Sequence, residues 1–281
     1  MKFGIVAFVT DQAITPAELG RATEDAGFDS LFLTEHSNIP AERSSPYLAG
    51  GPLPPEYLRI YDPFVALTAA ATATTDLRLG TGMCLLAQRD PIHTAKSVTS
   101  LDHVSKGRFD FGIGAGWNRE EMRQHGTDPR TRMARLRESV LLMKELWQND
   151  IASYKGDFVS VEPTTVRPEP FQKPHPPIIL GGMGPTVVSR AVHYADAWAP
   201  NPGWPPMPDL PERVAEFREL SADEGRGRLP IHMFGMDANP EHIESYIDLE
   251  VDQCVFLLPT LAREETVTEL KRIMAVAERY R

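Results

Sequence analysis

The chain has few cysteines, no excess of basic residues and no long hydrophobic run. Cys84 and Cys254 are its two cysteines, and both fall in predicted strands, which favours buried thiols over a disulfide. A net charge of −10 excludes the broad basic face that binds a nucleic-acid backbone. No apolar stretch is long enough to cross a bilayer, and Asp11 interrupts the first apolar run, which we interpret as a strand rather than a signal peptide. We therefore expect a cytoplasmic protein with a small-molecule partner and with no nucleic-acid or membrane partner.

The sequence also lacks the signatures of two classes of barrel enzyme. A Schiff-base aldolase needs a lysine inside its barrel, but of the seven lysines only Lys2 falls near the interior of a predicted strand. Metal-dependent barrel hydrolases favour a His-x-His pair on a strand, and none of the eight histidines has such a partner. No metal site is expected.

Short β-rich runs alternate with helical patterns along the whole chain. The stretch Thr15–Glu18 is a capping box with proline at the first helical position, and Asp62-Pro63, Asp90-Pro91 and Asn239-Pro240 repeat the cap-then-proline arrangement. Eight strands are predicted: Phe3–Val9, Ser30–His36, Arg78–Leu86, Arg108–Gly116, Pro177–Gly182, Ala197–Asn201, Ile231–Met236 and Gln253–Pro259.

Eight strand-then-helix units favour one (β/α)₈ TIM barrel that spans residues 1–281 as a single domain. The alternative is a doubly wound sheet, which usually has a glycine turn after its first strand; none follows Val9. Ser37–Tyr61 is a long loop after the second strand. It would leave the face that carries active sites, so we interpret it as a lid, with a flexible excursion as the alternative. Ile151–Pro176 is predicted to be a structural hairpin insertion before the fifth strand.

Glycines replace side chains on one face of two neighbouring strands. In the fourth strand Gly112, Gly114 and Gly116 alternate with larger residues, and in the third strand Gly80 and Gly82 alternate with Leu79, Thr81, Met83 and Leu85. Because barrel interiors are usually filled with branched side chains, glycines facing the axis would leave room for a flat ligand. The alternative is that they relieve strain or mark bulges.

Two further features are placed at the same end of the barrel. The turn after the fifth strand, Gly181–Pro185, opens a helix and could bind a phosphate through the N–H groups of Gly182, Met183, Gly184 and Thr186. An ordinary tight turn is the alternative. His36 ends the second strand and could hydrogen-bond a ring or move a proton, or it could be a structural strand end.

The chain resembles the luciferase-like monooxygenase superfamily, and within it the branch of oxidoreductases that use the deazaflavin coenzyme F-420. The resemblance covers nearly the whole chain and depends on the order and spacing of five segments. They are "AGFDSLFLTEH" (Ala26–His36), "LRLGTGMCLLAQRDP" (Leu77–Pro91), "LDHVSKGRFDFGIGAGWNREE" (Leu101–Glu121), "RPEPFQKPHPPIILGG" (Arg167–Gly182) and "YADAW" (Tyr194–Trp198).

This resemblance implies a flavin or deazaflavin at the mouth of the barrel, backed by a bulge with a non-prolyl cis peptide near Gly82-Met83. It also implies that His36 is a catalytic base at the coenzyme ring. The implied coenzyme-binding residues are Gly82, Met83, Cys84, Gly114, Ala115, Gly116, Trp117, Gly181, Gly182, Met183 and Gly184.

Trp117 stands where the sugar-phosphate dehydrogenases of the superfamily have a glutamate acid, which argues against the same substrate. Trp117 could stack on the ring or wall the pocket, or it could be a core residue. Glu120 and Glu121 follow, and we expect their register to expose them.

The leading functional expectation is hydride transfer between coenzyme F-420, an 8-hydroxy-5-deazaflavin, and a small organic substrate. The alternative is a two-component monooxygenase that uses FMN supplied by a separate reductase. A coenzyme carrier without turnover is a third possibility. Members of the superfamily are often dimers, so a homodimer is expected.

Overall fold

The computed structural model describes residues 1–47, 49–203 and 207–281, and its largest sheet has eight parallel strands. The strands in chain order, including a separate two-stranded hairpin, are β1 (Lys2–Ala7), β2 (Ser30–Leu33), β3 (Arg78–Thr81), β4 (Phe109–Ile113), β5 (Ala152–Lys155), β6 (Ser160–Thr164), β7 (Ile178–Gly181), β8 (Ala197–Ala199), β9 (His232–Met236) and β10 (Gln253–Leu258). The α-helices are α1 (Pro16–Asp25), α2 (Pro63–Ala73), α3 (Pro91–Val104), α4 (Arg119–Gln124), α5 (Arg132–Gln148), α6 (Val187–Tyr194), α7 (Leu210–Asp223), α8 (Pro240–Asp248) and α9 (Arg263–Ala277).

The eight-stranded sheet closes on itself. Its neighbours run β8-β7-β4-β3-β2-β1-β10-β9, and a parallel bridge between Trp198 and Ile231 joins the two ends. Helices lie between the strands, so the predicted (β/α)₈ barrel is confirmed. The carboxyl ends of all eight strands consequently meet at one face, where loops of the chain can build a common site.

The predicted helix starts are confirmed by their caps. Thr15 Oγ1 accepts from the N–H of Glu18, and the Glu18 carboxylate reaches back to Thr15. The side chains of Asp62, Asp90 and Asn239 accept N–H bonds from the first turns of α2, α3 and α8. These bonds satisfy helix donors that otherwise have no partner, which explains why the sequence places the helix boundaries so well.

The hydrophobic core has two layers. The larger layer lies between the strands and the helices, and a smaller cluster fills the barrel interior. In that interior Phe32 and Phe234 meet edge to face, with ring centroids 4.8 Å apart. A Cβ on Gly80 would lie 2.3 Å from the Phe32 ring, so glycine at this position leaves space that the phenyl group occupies.

Strand β3 is shorter than predicted. The expected strand Arg78–Leu86 ends at Thr81, and the peptide between Gly82 and Met83 is cis, as the resemblance implied. The N–H of Leu85 donates to Oε2 of Glu35 at 2.6 Å instead of to a neighbouring strand. The backbone therefore leaves the sheet at the face where the site is expected.

The insertion before β7 is the predicted hairpin, in which β5 and β6 pair antiparallel. Glu138 of α5 attaches it to the barrel, because its Oε2 accepts from the N–H groups of Phe158 (2.7 Å) and Val159 (3.1 Å). The long loop after β2 contains a 3₁₀ turn, Pro55–Leu58; Leu48, within the predicted lid, lies outside the described residues.

Cys84 and Cys254 are both buried free thiols, as expected. Within residues 1–47, 49–203 and 207–281, no helix has the length and apolar character needed to span a membrane. The same described residues contain no cluster of three or more His, Cys, Asp and Glu side chains arranged to hold a metal ion.

Candidate active site

A cavity of about 630 Å³ opens at the carboxyl ends of the strands. Its wall includes the proposed catalytic residue and every predicted coenzyme-binding residue except Cys84. These wall residues are His36, Gly82, Met83, Gly114, Ala115, Gly116, Trp117, Gly181, Gly182, Met183 and Gly184. The structure thus brings together residues that are separated by more than a hundred positions in the sequence.

Cys84 is the exception among the predicted coenzyme contacts. Its side chain is fully buried in the outer core, and burial raises the pKa of the thiol well above its usual range. Its backbone joins β3 to β4, since its N–H donates to Gly112 O and its carbonyl accepts from Gly114 N. The Cys84 side chain therefore packs in the outer core and does not line the cavity.

Gly112, in β4, and Gly114, just after it, have different surroundings. A Cβ on Gly112 would lie 1.9 Å from the carbonyl oxygen of Thr81, so this glycine permits close approach of two backbones. A Cβ on Gly114 would meet only Met83, 3.3 Å from its Cβ. Gly112 therefore has a structural role in strand packing, whereas Gly114 borders the open cavity.

Met83 faces the cavity rather than the outer layer. Sequence alternation predicted it on the same face as Leu79 and Thr81, and that prediction is wrong. A Cβ on Gly181 would lie 2.7 Å from Met83 Cγ, which shows that the thioether side chain crosses the interior toward β7. Alternation fails here because β3 ends at Thr81. The side chain of Met83 consequently forms a flexible, polarizable part of the cavity wall.

His36 is held from both sides. Its Nδ1 lies 2.6 Å from Oε2 of Glu121, and the indole Nε1–H of Trp117 donates to its Nε2 at 3.2 Å. The rings of Tyr57 and Trp117 lie 5.3 Å and 5.6 Å from the imidazole, centroid to centroid. Tyr47 packs edge to face against Tyr57. These rings form an aromatic cluster, defined as His36, Tyr47, Tyr57 and Trp117, at the mouth of the cavity.

Glu121 is fully buried, which corrects the expectation that it would be exposed. Asn118 caps α4 by accepting from the N–H of Glu121, and this first turn directs the carboxylate toward His36 and the N–H of Ser37. Glu120 is also largely covered, since it accepts from Ser44 Oγ at 2.8 Å. Helix α4 thereby ties the start of the long loop to the barrel. The acidic pair after Asn118 was the only sequence signal for these contacts.

The turn after β7 forms one end of the cavity. Met183, Gly184 and Thr186 lie on its wall, but the N–H of Gly182 donates to Ala199 O at 3.3 Å. Gly182 is therefore already paired, which corrects its place among the expected phosphate donors. Arg132 and Arg190 also line the cavity. The guanidinium group of Arg190, which lies on α6, and the N-terminus of that helix make this end suited to an anion.

Sequence reasoning missed Asn201 and the two arginines. Asn201 Oδ1 is buried with no hydrogen-bond partner among the described residues, on the cavity wall. Its spacing from Ala197 and Ala199, which face the barrel interior, was a usable signal. The arginines lie on helices with no motif, so only the folded chain reveals them.

The cavity fits a planar ring with an anionic tail. Glycines and Met83 border the cavity, Oδ1 of Asn201 has no hydrogen-bond partner among the described residues, and Arg190 lies near the start of α6. Ligand sites of this kind are mostly apolar with a few well-placed polar groups. Such a molecule would be held by residues of β3, β4, β7 and β8 and by the start of α6.

Residues 1–235 match the family model described as luciferase-like monooxygenase. The chain belongs to the luciferase-like monooxygenase family. Its enzymes are oxidoreductases and monooxygenases built on this barrel, so the chain is assigned to the same class of enzyme.

Three comparisons describe its relatives. An uncharacterized protein of Mycobacterium tuberculosis is 34% identical over 281 residues, covering 98% of each chain. A monooxygenase from Streptomyces bottropensis superimposes with a TM-score of 0.82 at 21% identity, covering 100% of both chains. A coenzyme F-420-dependent tetrahydromethanopterin reductase from Methanopyrus kandleri gives a TM-score of 0.71 at 18% identity, covering 96% of both chains. At these identities the two structures establish the shared fold.

Proposed function

We propose that this protein is an oxidoreductase that transfers a hydride between the deazaflavin coenzyme F-420 and a small organic substrate. The observation that carries the proposal is the cavity, in which a glycine-bordered slot, a histidine and an anion-binding end lie on one continuous wall. The reductase from Methanopyrus kandleri supports the choice of coenzyme by its likeness in fold.

The coenzyme would supply the hydride chemistry, and the protein would supply binding, orientation and exclusion of water. Gly114 and Gly181 would lie beside the ring, with Met83 beneath it. Met183, Gly184, Thr186 and Arg190 would hold the phosphate. His36 would be the base, because its imidazole faces the cavity and is fixed by two hydrogen bonds.

The aromatic cluster would cover the reacting region. Tyr47 and Tyr57 come from the long loop and are nearly buried, so they close the cavity on the side of His36. Burial raises the pKa of Tyr57 well above its usual range, so its hydroxyl stays protonated throughout the neutral range. We therefore propose that the loop is a lid whose inner surface is aromatic and uncharged.

A second candidate is an FMN-dependent monooxygenase that receives its reduced flavin from a separate reductase. The monooxygenase from Streptomyces bottropensis supports this alternative, since its fold matches over the full length. The slot and the anion-binding end would serve FMN equally well. The two candidates differ in which ligand binds and in whether turnover consumes dioxygen.

Titration of the protein with each coenzyme tests the proposal. Quenching of tryptophan fluorescence reports the binding. Trp117 lies on the cavity wall, so a Trp117→Phe variant identifies the part of the signal that comes from the site. We expect saturable binding of F-420. Saturable FMN binding without F-420 binding, followed by oxygen consumption with reduced FMN, would favour the monooxygenase. Coenzyme binding without turnover of any acceptor would indicate a carrier.

His36→Asn provides the complementary test of the base. This change removes the ring but preserves a polar side chain of similar reach. We expect coenzyme affinity to be retained and the rate of hydride transfer to fall by about a hundredfold or more. An unchanged rate would show that His36 takes no part in the chemistry.

A further inference from the structure

The two nitrogen atoms of His36 have partners of opposite character. An indole N–H can only donate, so the Nε2 that receives the Trp117 bond must present a lone pair. The proton of a neutral imidazole then belongs on Nδ1, where Oε2 of Glu121 accepts it at 2.6 Å. The hydrogen-bond pattern therefore selects one tautomer.

A single short segment provides both partners. Trp117 follows β4, and Glu121 lies four residues later in the first turn of α4, which Asn118 caps. The imidazole is thus enclosed between two side chains whose spacing is set by one helix start. Glu121 is fully buried, and its other oxygen accepts from the N–H of Ser37, the residue next to His36. A buried carboxylate is stable only when its oxygens are satisfied in this way.

We propose that Glu121 and Trp117 are positioning residues that hold His36 as the neutral tautomer protonated on Nδ1, so that Nε2 is the ring atom that meets the substrate. The indole N–H and a hydrogen-bond donor of the substrate compete for the same lone pair. This last step rests on the proposed function, because it gives His36 the proton-handling role.

Imidazole ¹⁵N spectroscopy of the coenzyme-free protein tests the tautomer directly. The His36 signals are identified by their loss in His36→Asn. We expect one protonated nitrogen, Nδ1, and one acceptor nitrogen, Nε2. Glu121→Gln should abolish the single tautomer, because His36 and Ser37 bond different oxygens of Glu121 and the amide replaces one of these acceptors with an NH₂ donor. Trp117→Phe should keep the tautomer and shift the Nε2 resonance downfield, as expected for a lone pair that loses its donor.

Two further variants make the result decisive. Glu120→Gln removes the neighbouring carboxylate, which contacts Ser44 and Ser45 instead of His36, and should leave the His36 spectrum unchanged. Glu121→Asp retains a carboxylate, which can only accept, and should keep the Nδ1-protonated form. It provides the comparison if Glu121→Gln loses this form or misfolds. A parent spectrum with the proton on Nε2, or one that is unaltered by Glu121→Gln, would overturn the proposal.

Kinetics then separate a positioning role from a merely structural one. With an identified substrate, Glu121→Gln should lower kcat by about a hundredfold and leave KM within about threefold. Equal losses in kcat and in the fraction of folded protein would indicate structural damage and overturn the positioning role. Because the spectra require neither coenzyme nor substrate, a failure of the proposed function and a failure of this inference are distinguishable.

Discussion

Nε of Arg89 donates to Oε1 of Glu35 at 2.6 Å, joining the end of β2 to the segment after β3. Glu35 is almost completely buried, and its second oxygen accepts from the N–H of Leu85. Arg89 also bonds Asp62, the cap of α2. Glu35 is itself part of the cavity wall, and the pair fixes the course of the backbone that bends away from the sheet.

Arg89→Met should destabilise the fold by about 3 kcal/mol, because the Glu35 charge would stay buried without its partner. Urea denaturation measures the change in the free energy of unfolding. Arg59→Met is the matched control, since the Arg59–Asp11 pair is nearly half exposed, is screened by solvent and should contribute much less. Equal losses in the two variants would show that burial does not distinguish the pairs.

Gly114→Leu should abolish coenzyme binding in a folded barrel. The added side chain would project into the slot, with only the flexible Met83 near its Cβ. Circular dichroism and fluorescence titration would report folding and binding separately. Gly112→Ala is the contrasting variant, because its Cβ would collide with the Thr81 carbonyl and should impair folding itself. Unchanged affinity in Gly114→Leu would contradict the proposed position of the ring.

Arg190→Met should weaken coenzyme binding by about tenfold, since one charge-assisted contact with the phosphate would be lost. A deazaflavin without the phosphate tail should bind parent and variant equally. The affinity of the parent for the complete coenzyme should fall with rising salt concentration more steeply than that of the variant. Arg279→Met, an exposed change on the far C-terminal turn, is the control. Equal losses for both ligands would place the phosphate elsewhere.

The stabilising effect of Glu120 should depend on pH. Hydrogen bonds from Ser45 and Ser44 lower the pKa of Glu120 to about 2. A carboxyl with a lowered pKa in the folded state stabilises that state above its usual pKa, and the effect is lost as the pH falls. The stability difference between the parent and Glu120→Gln should therefore shrink from about pH 4.5 down to about pH 2. Urea denaturation across this range measures it, and a difference that grows on acidification would contradict the assignment.

The barrel could be predicted from local signals. Capping residues such as Thr15 and Asp90 act within one helical turn, so they indicate where a helix starts even when the fold is unknown. The glycines of β3 and β4 were assigned to the interior correctly because strand alternation is also local. Where the backbone departs from a regular strand, at Met83, alternation assigned the side chain to the wrong side.

The candidate site was only partly predictable, since its polar contacts join distant segments. Glu121 contacts His36 across 85 positions, and the sequence offered no register that could show this. Arg190 lies beyond the recognised turn, on a helix with no motif. Such residues become visible only when the barrel brings the strand ends together.

The dual role of α4 constrains how proteins with this architecture can diversify. One helix start supports both the entrance loop and the imidazole, so a substitution in Trp117–Glu121 would alter substrate admission and proton handling together. Residues of the loop that are exposed, such as Leu58, can vary with less penalty to the reaction centre. New specificities would therefore arise more readily by evolution of the distal loop than by changes in the helix that anchors it.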